Sequence, residues 1–252
     1  MLTPSNSSDI QALLLDIEGT TTPIDFVFRT LFPYASEHVE DFLRQHFAEP
    51  GIRELIEELR HTWSGAASAG APVWMESRLD EKLASAAAYI RWLIARDSKI
   101  TPLKTLQGKI WEQGYRDAAL KGEVYPDVAS AFTRWGAQGR RIAIFSSGSI
   151  LAQKLLFAHS TKGDLSPHIE AYFDTTTGAK REAGSYTKIA SALTLRPQQV
   201  LFVSDVIAEL DAAHNAGMHT ALSLRTGLAA PQVTTHPVTY SFDEIFAQAG
   251  PD

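Results

Sequence analysis

The chain has 252 residues, of which 44% are hydrophobic and 21% are charged, and its formal net charge is −6. This composition is typical of a chain that buries a sizeable core, and the length allows one large domain or two modest ones. The absence of cysteine excludes disulfides, thiolate zinc sites and cysteine nucleophiles. Because the net charge is negative and no block of Lys or Arg occurs, we expect neither nucleic acid nor an anionic membrane as a partner.

The amino terminus is polar and carries no apolar signal core. No stretch of the sequence approaches the ~18 consecutive apolar residues that a membrane helix needs. We therefore expect a cytoplasmic protein.

The first predicted element is also the most informative one. The apolar run at residues 12–15 predicts a buried strand that ends at Asp16, and Glu18, Gly19 and Thr20 follow it. A carboxylate at the carboxyl end of a strand stands where open α/β sheets bind ligands, and it can act as a nucleophile or hold a metal ion. The alternative is a plain strand end, with Asp16 bonded to the backbone of a polar turn. This segment alone leaves both interpretations open.

Residues 28–120 carry almost only helical patterns. The predicted helices cover residues 53–63, residues 79–94 and a segment opened by Thr101 and Pro102. Residues 64–72 are rich in Gly, Ala and Ser and predict a loop. We interpret the whole block as an all-helical insertion after the first strand.

From residue 124 onward, short β-rich runs alternate with helical patterns, which predicts a parallel sheet with right-handed crossovers. The predicted strands are 141–145, 171–174, 200–203 and 220–224, and the predicted helices are 127–138, 150–157, 185–193, 209–216 and, weakly, 242–249. Together with the first strand they predict an α/β fold with a doubly wound, mainly parallel sheet. We place this domain at residues 9–27 and 121–252, and the helical insertion at residues 28–120.

Polar side chains follow three of the predicted strands, and a parallel sheet brings these strand ends to one edge. They are Asp16 and Glu18 after the first strand, Ser146, Ser147 and Gly148 after the second, and Asp205 and Glu209 after a later one, with Lys180 in a polar loop between. Asp16 can attack an electrophilic phosphorus, and Asp16 and Asp205 offer the oxygen ligands that Mg²⁺ prefers. Ser147 and the N–H groups of its turn can hold a phosphate that Lys180 neutralises.

Each of these features also has a purely structural explanation. The Ser146–Ser149 segment by itself is more often a turn with a helix N-cap, and a single loop lysine is usually a solvated charge. The eight histidines are scattered, without the paired spacing of a metal-binding helix. The set favours a functional site, because carboxylate, hydroxyl, lysine and carboxylate occupy successive loops at one sheet edge.

The order of these groups resembles the four motifs of the haloacid-dehalogenase-like phosphatases, and the resemblance covers nearly the whole chain. Residues 16–20 resemble the first motif, residues 144–147 the second, Lys180 the third and residues 203–205 the fourth. The helical insertion resembles the cap that these enzymes fold over the site. Glu18 departs from the family pattern, because an Asp usually stands there as general acid and base.

Within that superfamily, the chain is similar to the enolase-phosphatases of methionine salvage. The similar segments are residues 16–24, 31–34, 106–108, 146–149, 152–157 and 159–161. This resemblance implies that 2,3-diketo-5-methylthiopentyl-1-phosphate is enolised and then dephosphorylated with Mg²⁺. The product would be the acireductone 1,2-dihydroxy-3-keto-5-methylthiopentene.

The resemblance also implies roles for individual residues. The implied catalytic residues are Asp16, Glu18 and Lys180, the implied substrate-binding residues are Ser146, Ser147 and Lys180, and the implied ligands of one Mg²⁺ per chain are Asp16, Glu18 and Asp205. Glu18 is a candidate to contribute its backbone carbonyl to the ion rather than its side chain. The resemblance further implies a monomer that acts on a small phosphorylated substrate. The general base of the enolisation, the residues around the methylthio tail, and the roles of Glu209 and His159 stay open.

Three alternative functions fit parts of the sequence. A plain phosphatase for another small phosphomonoester rests on the four motifs alone. A phosphomutase would return the phosphoryl group to a sugar and would need a polar sugar site, whereas the helical block is rather apolar. A non-catalytic interaction module is expected to lack one of the four polar groups, and all four are present.

Overall fold

The computed structural model describes residues 9–66, 70–225 and 234–247. Within them, six strands form one sheet in the order β3-β2-β1-β4-β5-β6, and all neighbouring strands are parallel. The strands are β1 (Ala12–Leu15), β2 (Arg141–Phe145), β3 (Ala171–Phe173), β4 (Val200–Ser204), β5 (His219–Ser223) and β6 (Val238–Thr239). This order is that of a doubly wound sheet, so the predicted α/β fold is confirmed.

Strand β1 lies in the middle of the sheet and is completely buried. Its Leu14 pairs with Ala143 of β2 on one side and with Phe202 of β4 on the other. A strand that is covered on both faces needs such an unbroken apolar run. Strands β2 and β3 are added on one side of β1, and β4, β5 and β6 on the other, so β1 marks the point where the strand order reverses. Ligands of doubly wound sheets bind at such a point, outside the carboxyl ends of the strands.

The chain divides into two compact units, Met1–Ile24 with Lys121–Asp252, and Asp25–Leu120. The sequence analysis ends the first segment of the α/β domain at residue 27, three residues after Ile24, where the first unit's first segment ends. The described helical segments between β1 and residue 120 are α1 (Ile24–Phe26), a π-helical stretch (Val27–Leu31), α2 (Phe32–His46), α3 (Pro50–Ala66), α4 (Leu79–Ile94) and α5 (Thr101–Arg116). Among the residues described, every helix is too short or too polar to span a lipid bilayer.

The helices of the second unit pack through apolar stripes. Val39 on α2 and Ile90 on α4 are fully shielded from solvent. The Trp111 indole N–H of α5 donates to the Leu31 carbonyl oxygen at 2.8 Å, which satisfies a backbone acceptor of the π-helical stretch. The loop predicted from residue 64 is wrong at its start, because α3 continues to Ala66; residues 67–69 of that prediction lie outside the described part of the chain.

Four described helices flank the sheet: α6 (Val128–Ala137), α7 (Ile150–Ala158), α8 (Ala183–Ala192) and α9 (Ile207–Asn215). Tyr186 of α8 is completely buried against the sheet, with its ring centroid 5.6 Å from that of Phe145 on β2 and 5.0 Å from that of Phe202 on β4. Burying such a side chain contributes roughly 1.5–3 kcal/mol. This packing fixes α8 against the sheet, and with it the loop that precedes α8 at the carboxyl edge.

The last elements differ from the prediction. Strand β6 is not foreseen by the sequence analysis, because it has only two residues and follows Pro237, which weakens any strand pattern. The weak helix predicted at residues 242–249 is wrong, since Phe242–Glu244 form a single 3₁₀ turn. The hydroxyl of Ser241 caps this turn by accepting from Asp243 N at 3.1 Å. Residues 248 and 249 of that prediction lie outside the described residues.

Candidate active site

Asp16 stands one residue beyond β1 and is held there by the sheet. Its backbone N–H donates to the Val203 carbonyl oxygen at 3.0 Å, which extends the ladder with β4 by one residue. Oδ1 of its carboxylate accepts from the N–H of Ile17 at 2.8 Å, and Oδ2 accepts from the hydroxyl of Ser204 at 3.1 Å. Only 3% of the residue is exposed. The carboxylate is therefore buried, oriented and hydrogen-bonded on both oxygens.

Lys180 provides the positive charge of this edge. Its Nζ atom lies 2.6 Å from Oδ1 of Asp16 and 2.7 Å from Oε2 of Glu209. Burial alone would lower the pKa of the lysine, but the two carboxylates raise it above its ordinary value. The side chain is consequently a charged ammonium group at neutral pH, although it is almost entirely buried.

Helix α8 positions the loop that carries Lys180. The hydroxyl of Tyr186 donates to the Lys180 carbonyl oxygen at 2.7 Å, and the hydroxyl of Ser185 donates to the Ala179 carbonyl oxygen at 2.7 Å. Gly178 has a φ of +152°, and a Cβ atom there would lie 2.3 Å from the Ser185 hydroxyl oxygen. The loop that carries Lys180 is thus fixed by buried hydroxyl groups, and its lysine is not the solvated charge that a single loop lysine usually is.

Glu209 of α9 lies at the same edge, and the sequence analysis assigns it no role. Ser204 bridges the two carboxylates, since its hydroxyl oxygen lies 3.2 Å from Oε2 of Glu209 as well as 3.1 Å from Asp16. Burial and the charge of Asp16 raise the pKa of Glu209, and Lys180 partly opposes that shift. The only signal in the sequence is its position one helical turn after Asp205.

Asp205 follows β4 and lies against the backbone of Gly19. Gly19 has a φ of +70°, and a Cβ atom on it would lie 2.2 Å from Oδ2 of Asp205, so only glycine permits this approach. Burial and, next, the charge of Asp16 raise the pKa of Asp205 to about 6. The Asp205 carboxylate is thereby packed against the loop that contains the Glu18 carbonyl group.

Two carboxylates at this edge of the sheet are suitable ligands for a metal ion. Across the part of the chain that is described, no cluster of three or more His, Asp or Glu side chains is arranged to hold a metal. Asp16 and Asp205 offer two carboxylates, and Mg²⁺ commonly binds through one or two carboxylates and takes its other ligands from water and phosphate. A divalent cation would also offset the repulsion by which Asp16 raises the pKa of Asp205. The donor set therefore fits Mg²⁺.

Glu18 and Ser146 connect the ends of β1 and β2. The Ser146 hydroxyl donates to Oε2 of Glu18 at 3.3 Å and accepts from Gly148 N at 3.1 Å. Ser146 is buried, whereas Ser147, the next residue, is half-buried. Helix α7 begins just beyond this turn, with Ser149 as its N-cap accepting from Ala152 N at 3.3 Å. The turn offers hydroxyl and N–H donors at a helix N-terminus, where phosphate groups bind.

The predicted site residues thus lie at one edge of the sheet. Lys180 contacts Asp16, Ser146 contacts Glu18, and Asp205 packs on Gly19. Sequence reasoning misses the side chains that hold these groups, namely Ser204, Ser185, Tyr186 and Gln153. Their contacts join segments that are distant along the chain or lie in loops, and such contacts leave no periodic signal.

The sheet order and its polar edge are those of the doubly wound α/β proteins that bind ligands at the carboxyl ends of their strands, here with a buried carboxylate directly after the first strand. Residues 10–217 match the family model of the haloacid dehalogenase-like hydrolases. A dehalogenase crystal structure shares the fold, with 17% sequence identity and a TM-score of 0.55 over 100% of both chains. The resemblance to this superfamily is confirmed.

Closer relatives define the family. The protein from Synechococcus elongatus named enolase-phosphatase E1 is 53% identical over 94% of this chain and 98% of its own length. Those from Pseudomonas aeruginosa and Drosophila grimshawi are 46% and 48% identical, over 95% and 88% of this chain and 99% and 89% of their own. The crystal structure of the UTR4 protein from Saccharomyces cerevisiae, 34% identical, covers 94% of this chain and 100% of its own with a TM-score of 0.76. The chain belongs to the enolase-phosphatase E1 family of the haloacid dehalogenase-like hydrolases.

Proposed function

We propose that the chain is an acireductone synthase, a bifunctional enolase-phosphatase of L-methionine salvage from methylthioadenosine. It enolises 2,3-diketo-5-methylthiopentyl-1-phosphate and then hydrolyses the phosphoric monoester, which gives 1,2-dihydroxy-3-keto-5-methylthiopentene. The observation that carries this proposal is the buried ion pair of Asp16 and Lys180 at the sheet edge. It occurs in a chain that is 53% identical to a protein named enolase-phosphatase E1.

Asp16 is proposed as the phosphoryl acceptor. One of its carboxylate oxygens attacks phosphorus, a bond forms between them, and the bond from phosphorus to the ester oxygen breaks. Water then hydrolyses the aspartyl phosphate and restores the carboxylate. The Asp16 carboxylate is held in place before attack by Ile17 N and by Ser204, which supports the role.

Lys180, Ser146 and Ser147 are proposed to bind the phosphoryl group. The ammonium group of Lys180 neutralises charge that develops on the phosphoryl oxygens, and burial strengthens this effect. The hydroxyl of Ser147 and the N–H groups of its turn donate to the same oxygens. Ser146 donates to Glu18 and thus links the phosphate-binding turn to the second carboxylate.

Glu18 is proposed as the general acid and base of the phosphatase step. It gives a proton to the leaving oxygen and then takes one from the attacking water. Its side chain is one methylene longer than that of Asp, and its contact with Ser146 directs it toward the end of β2. It is also a candidate base for the enolisation, which requires removal of a proton beside a carbonyl group.

One Mg²⁺ ion per chain is proposed at the same edge, held by the carboxylates of Asp16 and Asp205 and by Glu18 through its carbonyl oxygen. The ion would supply Lewis acidity and neutralise phosphate charge. The packing of Asp205 on Gly19 and the pKa of Asp205 near 6 support this placement. The monomeric state and the cytoplasmic location stay predictions from the sequence.

The test is an assay with the diketo phosphate and Mg²⁺, with and without a chelator. We expect phosphate release together with an acireductone that absorbs in the near ultraviolet, and neither signal when the chelator is present. A folded protein that gives neither product in Mg²⁺ would refute the proposal. Release of phosphate from a broad panel, without deuterium incorporation from solvent into the carbon skeleton, would indicate a plain phosphatase for another small phosphomonoester instead.

A further inference from the structure

Gln153 is a buried side chain beside the phosphate-binding turn. It lies on α7 and is 1% exposed. Its Nε2 atom donates to two carbonyl oxygens, that of Gly148 at 2.9 Å and that of Phe173 at 2.9 Å. Rotating the amide by half a turn would place its oxygen against both carbonyl oxygens, so the partners fix which atom is nitrogen.

The amide oxygen of Gln153 is buried without a hydrogen-bond partner among the described residues. Leaving a buried acceptor unpaired costs free energy. The two hydrogen bonds donated by its amide nitrogen are therefore what the Gln153 side chain contributes here. A hydrophobic residue of similar length would fill the same space without that cost, so packing does not explain an amide here.

The two acceptors of Gln153 belong to different loops of the candidate active site. The Phe173 carbonyl oxygen also accepts from Ser146 N at 3.2 Å, and Phe173 is the last residue of β3. Gly148 directly follows Ser147 in the turn after β2. Gln153 consequently ties the turn to the end of the neighbouring strand.

The hydrogen bond at Gly148 also determines the direction of the next N–H group. In a trans peptide, the carbonyl group and the following N–H point in opposite directions, and the described peptides are all trans. Because the Gly148 carbonyl points toward Gln153, the N–H of Ser149 points away from it. Ser149 is the N-cap of α7, and the N–H of an N-cap has no acceptor within its helix.

We propose that Gln153 is a positioning residue, which holds the Gly148–Ser149 peptide so that the Ser149 N–H donates to the bound phosphoryl group. Ser149 N–H is then a phosphate ligand in addition to the hydroxyl of Ser147 and the other N–H groups of the turn. The inference rests on the proposed function, because it takes the turn after β2 as the place where the phosphoryl group binds. Loss of one aligned donor to a charged group weakens binding by about tenfold or more.

The test uses inorganic phosphate with Mg²⁺ as the probe, followed by the backbone amide signals in ¹H–¹⁵N NMR spectra. In the wild-type chain, we expect phosphate to move the Ser149 amide signal downfield, as a new hydrogen bond does. Gln153→Met should weaken phosphate binding about tenfold and reduce the Ser149 shift. With substrate, the variant should raise KM more than it lowers kcat, because the donor binds ground state and transition state alike.

Ile189→Val is the matched control, since Ile189 is completely buried on α8 and its truncation lowers stability without touching the turn. Phosphate binding should be unchanged in that variant. A wild-type Ser149 amide that does not respond to phosphate would overturn the inference even if Gln153→Met failed to fold, as would equal phosphate binding by Gln153→Met. Failure of the proposed function has a different signature, in which phosphate shifts none of the amides of residues 146–149.

Discussion

The ammonium group of Lys180 lies 2.6 Å from the carboxylate of Asp16, and both side chains are buried at the edge of the sheet. An isolated buried charge is costly, so each of these groups depends on the other. The pair keeps the proposed phosphoryl acceptor in one orientation and places a cation where phosphate charge would arrive. Glu209 is the second anion on the same lysine, at 2.7 Å.

Lys180→Met should destabilise the fold by about 3–5 kcal/mol, because it leaves two buried carboxylates without their cation. Urea unfolding in the presence of a chelator measures this loss. Adding Glu209→Gln to Lys180→Met should recover part of the stability, since one of the two uncompensated charges is then removed. Lys188→Met is the control, because Lys188 is exposed on the same α8 and should change stability little. Equal losses for the two lysine variants would contradict the buried ion pair.

Asp16→Asn should lower turnover of the diketo phosphate by at least about a thousandfold, because the amide is not a nucleophile toward phosphorus. The protein should stay folded, since an amide oxygen in the place of Oδ1 still accepts from Ile17 N and Lys180, and the amide NH2 group can donate to the Ser204 hydroxyl oxygen. Phosphate release and circular dichroism measure the two effects. Asp25→Asn, at an exposed carboxylate, should retain wild-type turnover. Turnover of Asp16→Asn at the wild-type rate would exclude Asp16 as the acceptor.

Gly19→Ala should weaken Mg²⁺ binding at least about tenfold, because the new Cβ atom would meet Oδ2 of Asp205 and push that carboxylate aside. Isothermal titration with Mg²⁺ measures the affinity. Gly139→Ala is a close control, since Gly139 has a φ of +73° and open space around it. Both variants should lose roughly 1–2 kcal/mol from the left-handed backbone. Only Gly19→Ala should lose Mg²⁺ affinity as well, and an unchanged affinity would contradict the proposed ion site.

Asp127→Asn should destabilise the protein by about 3 kcal/mol at neutral pH, because it leaves Arg225 buried without its carboxylate. Burial alone would raise the pKa of Asp127, but Arg225 and the N–H of Phe242 together lower it below its ordinary 3.8. A lowered folded-state pKa stabilises the protein above the unfolded-state value, and that stabilisation is lost as pH falls through the folded-state pKa. The difference in unfolding free energy between wild type and Asp127→Asn should therefore be constant above pH 3.8 and shrink below it.

Urea unfolding between pH 3 and pH 7 measures this dependence. Asp243→Asn serves as its control, because Asp243 is a largely exposed partner of Arg134. It should show a small and nearly pH-independent effect. A difference for Asp127→Asn that grew as the pH fell would contradict the assigned direction of the pKa shift.

Much of the fold follows from the sequence because the strands of a doubly wound sheet are unbroken apolar runs. The strand at residues 141–145 matches β2 in full, and the predicted helix at residues 79–94 matches α4 in full. Strand ends are equally visible, since an apolar run stops at a polar residue, as at Asp16. Short or proline-flanked elements such as β6 cannot be recognised in the sequence, because two residues are too few to show an alternating hydrophobic pattern.

The supporting side chains of the site are harder to predict than its charged groups. Tyr186 belongs to an apolar helix pattern, yet its hydroxyl holds the carbonyl of Lys180. Gln153 lies in a family-like segment of the sequence, but its role becomes visible only with its two carbonyl partners. Such roles depend on where separate loops meet in space, which spacing along one element does not encode.

The hydroxyl of Ser204 has a single proton and faces two carboxylate oxygens, on Asp16 and on Glu209. It can donate to only one of them at a time. The two carboxylates therefore compete for one donor, and a change of charge on either one turns the hydroxyl toward the other. In the proposed aspartyl phosphate, Asp16 no longer carries its charge, and the Ser204 hydroxyl can donate to Glu209 by rotating, without any backbone movement. Through this serine, the charge of one carboxylate therefore changes the hydrogen bonding of the other across the end of β4.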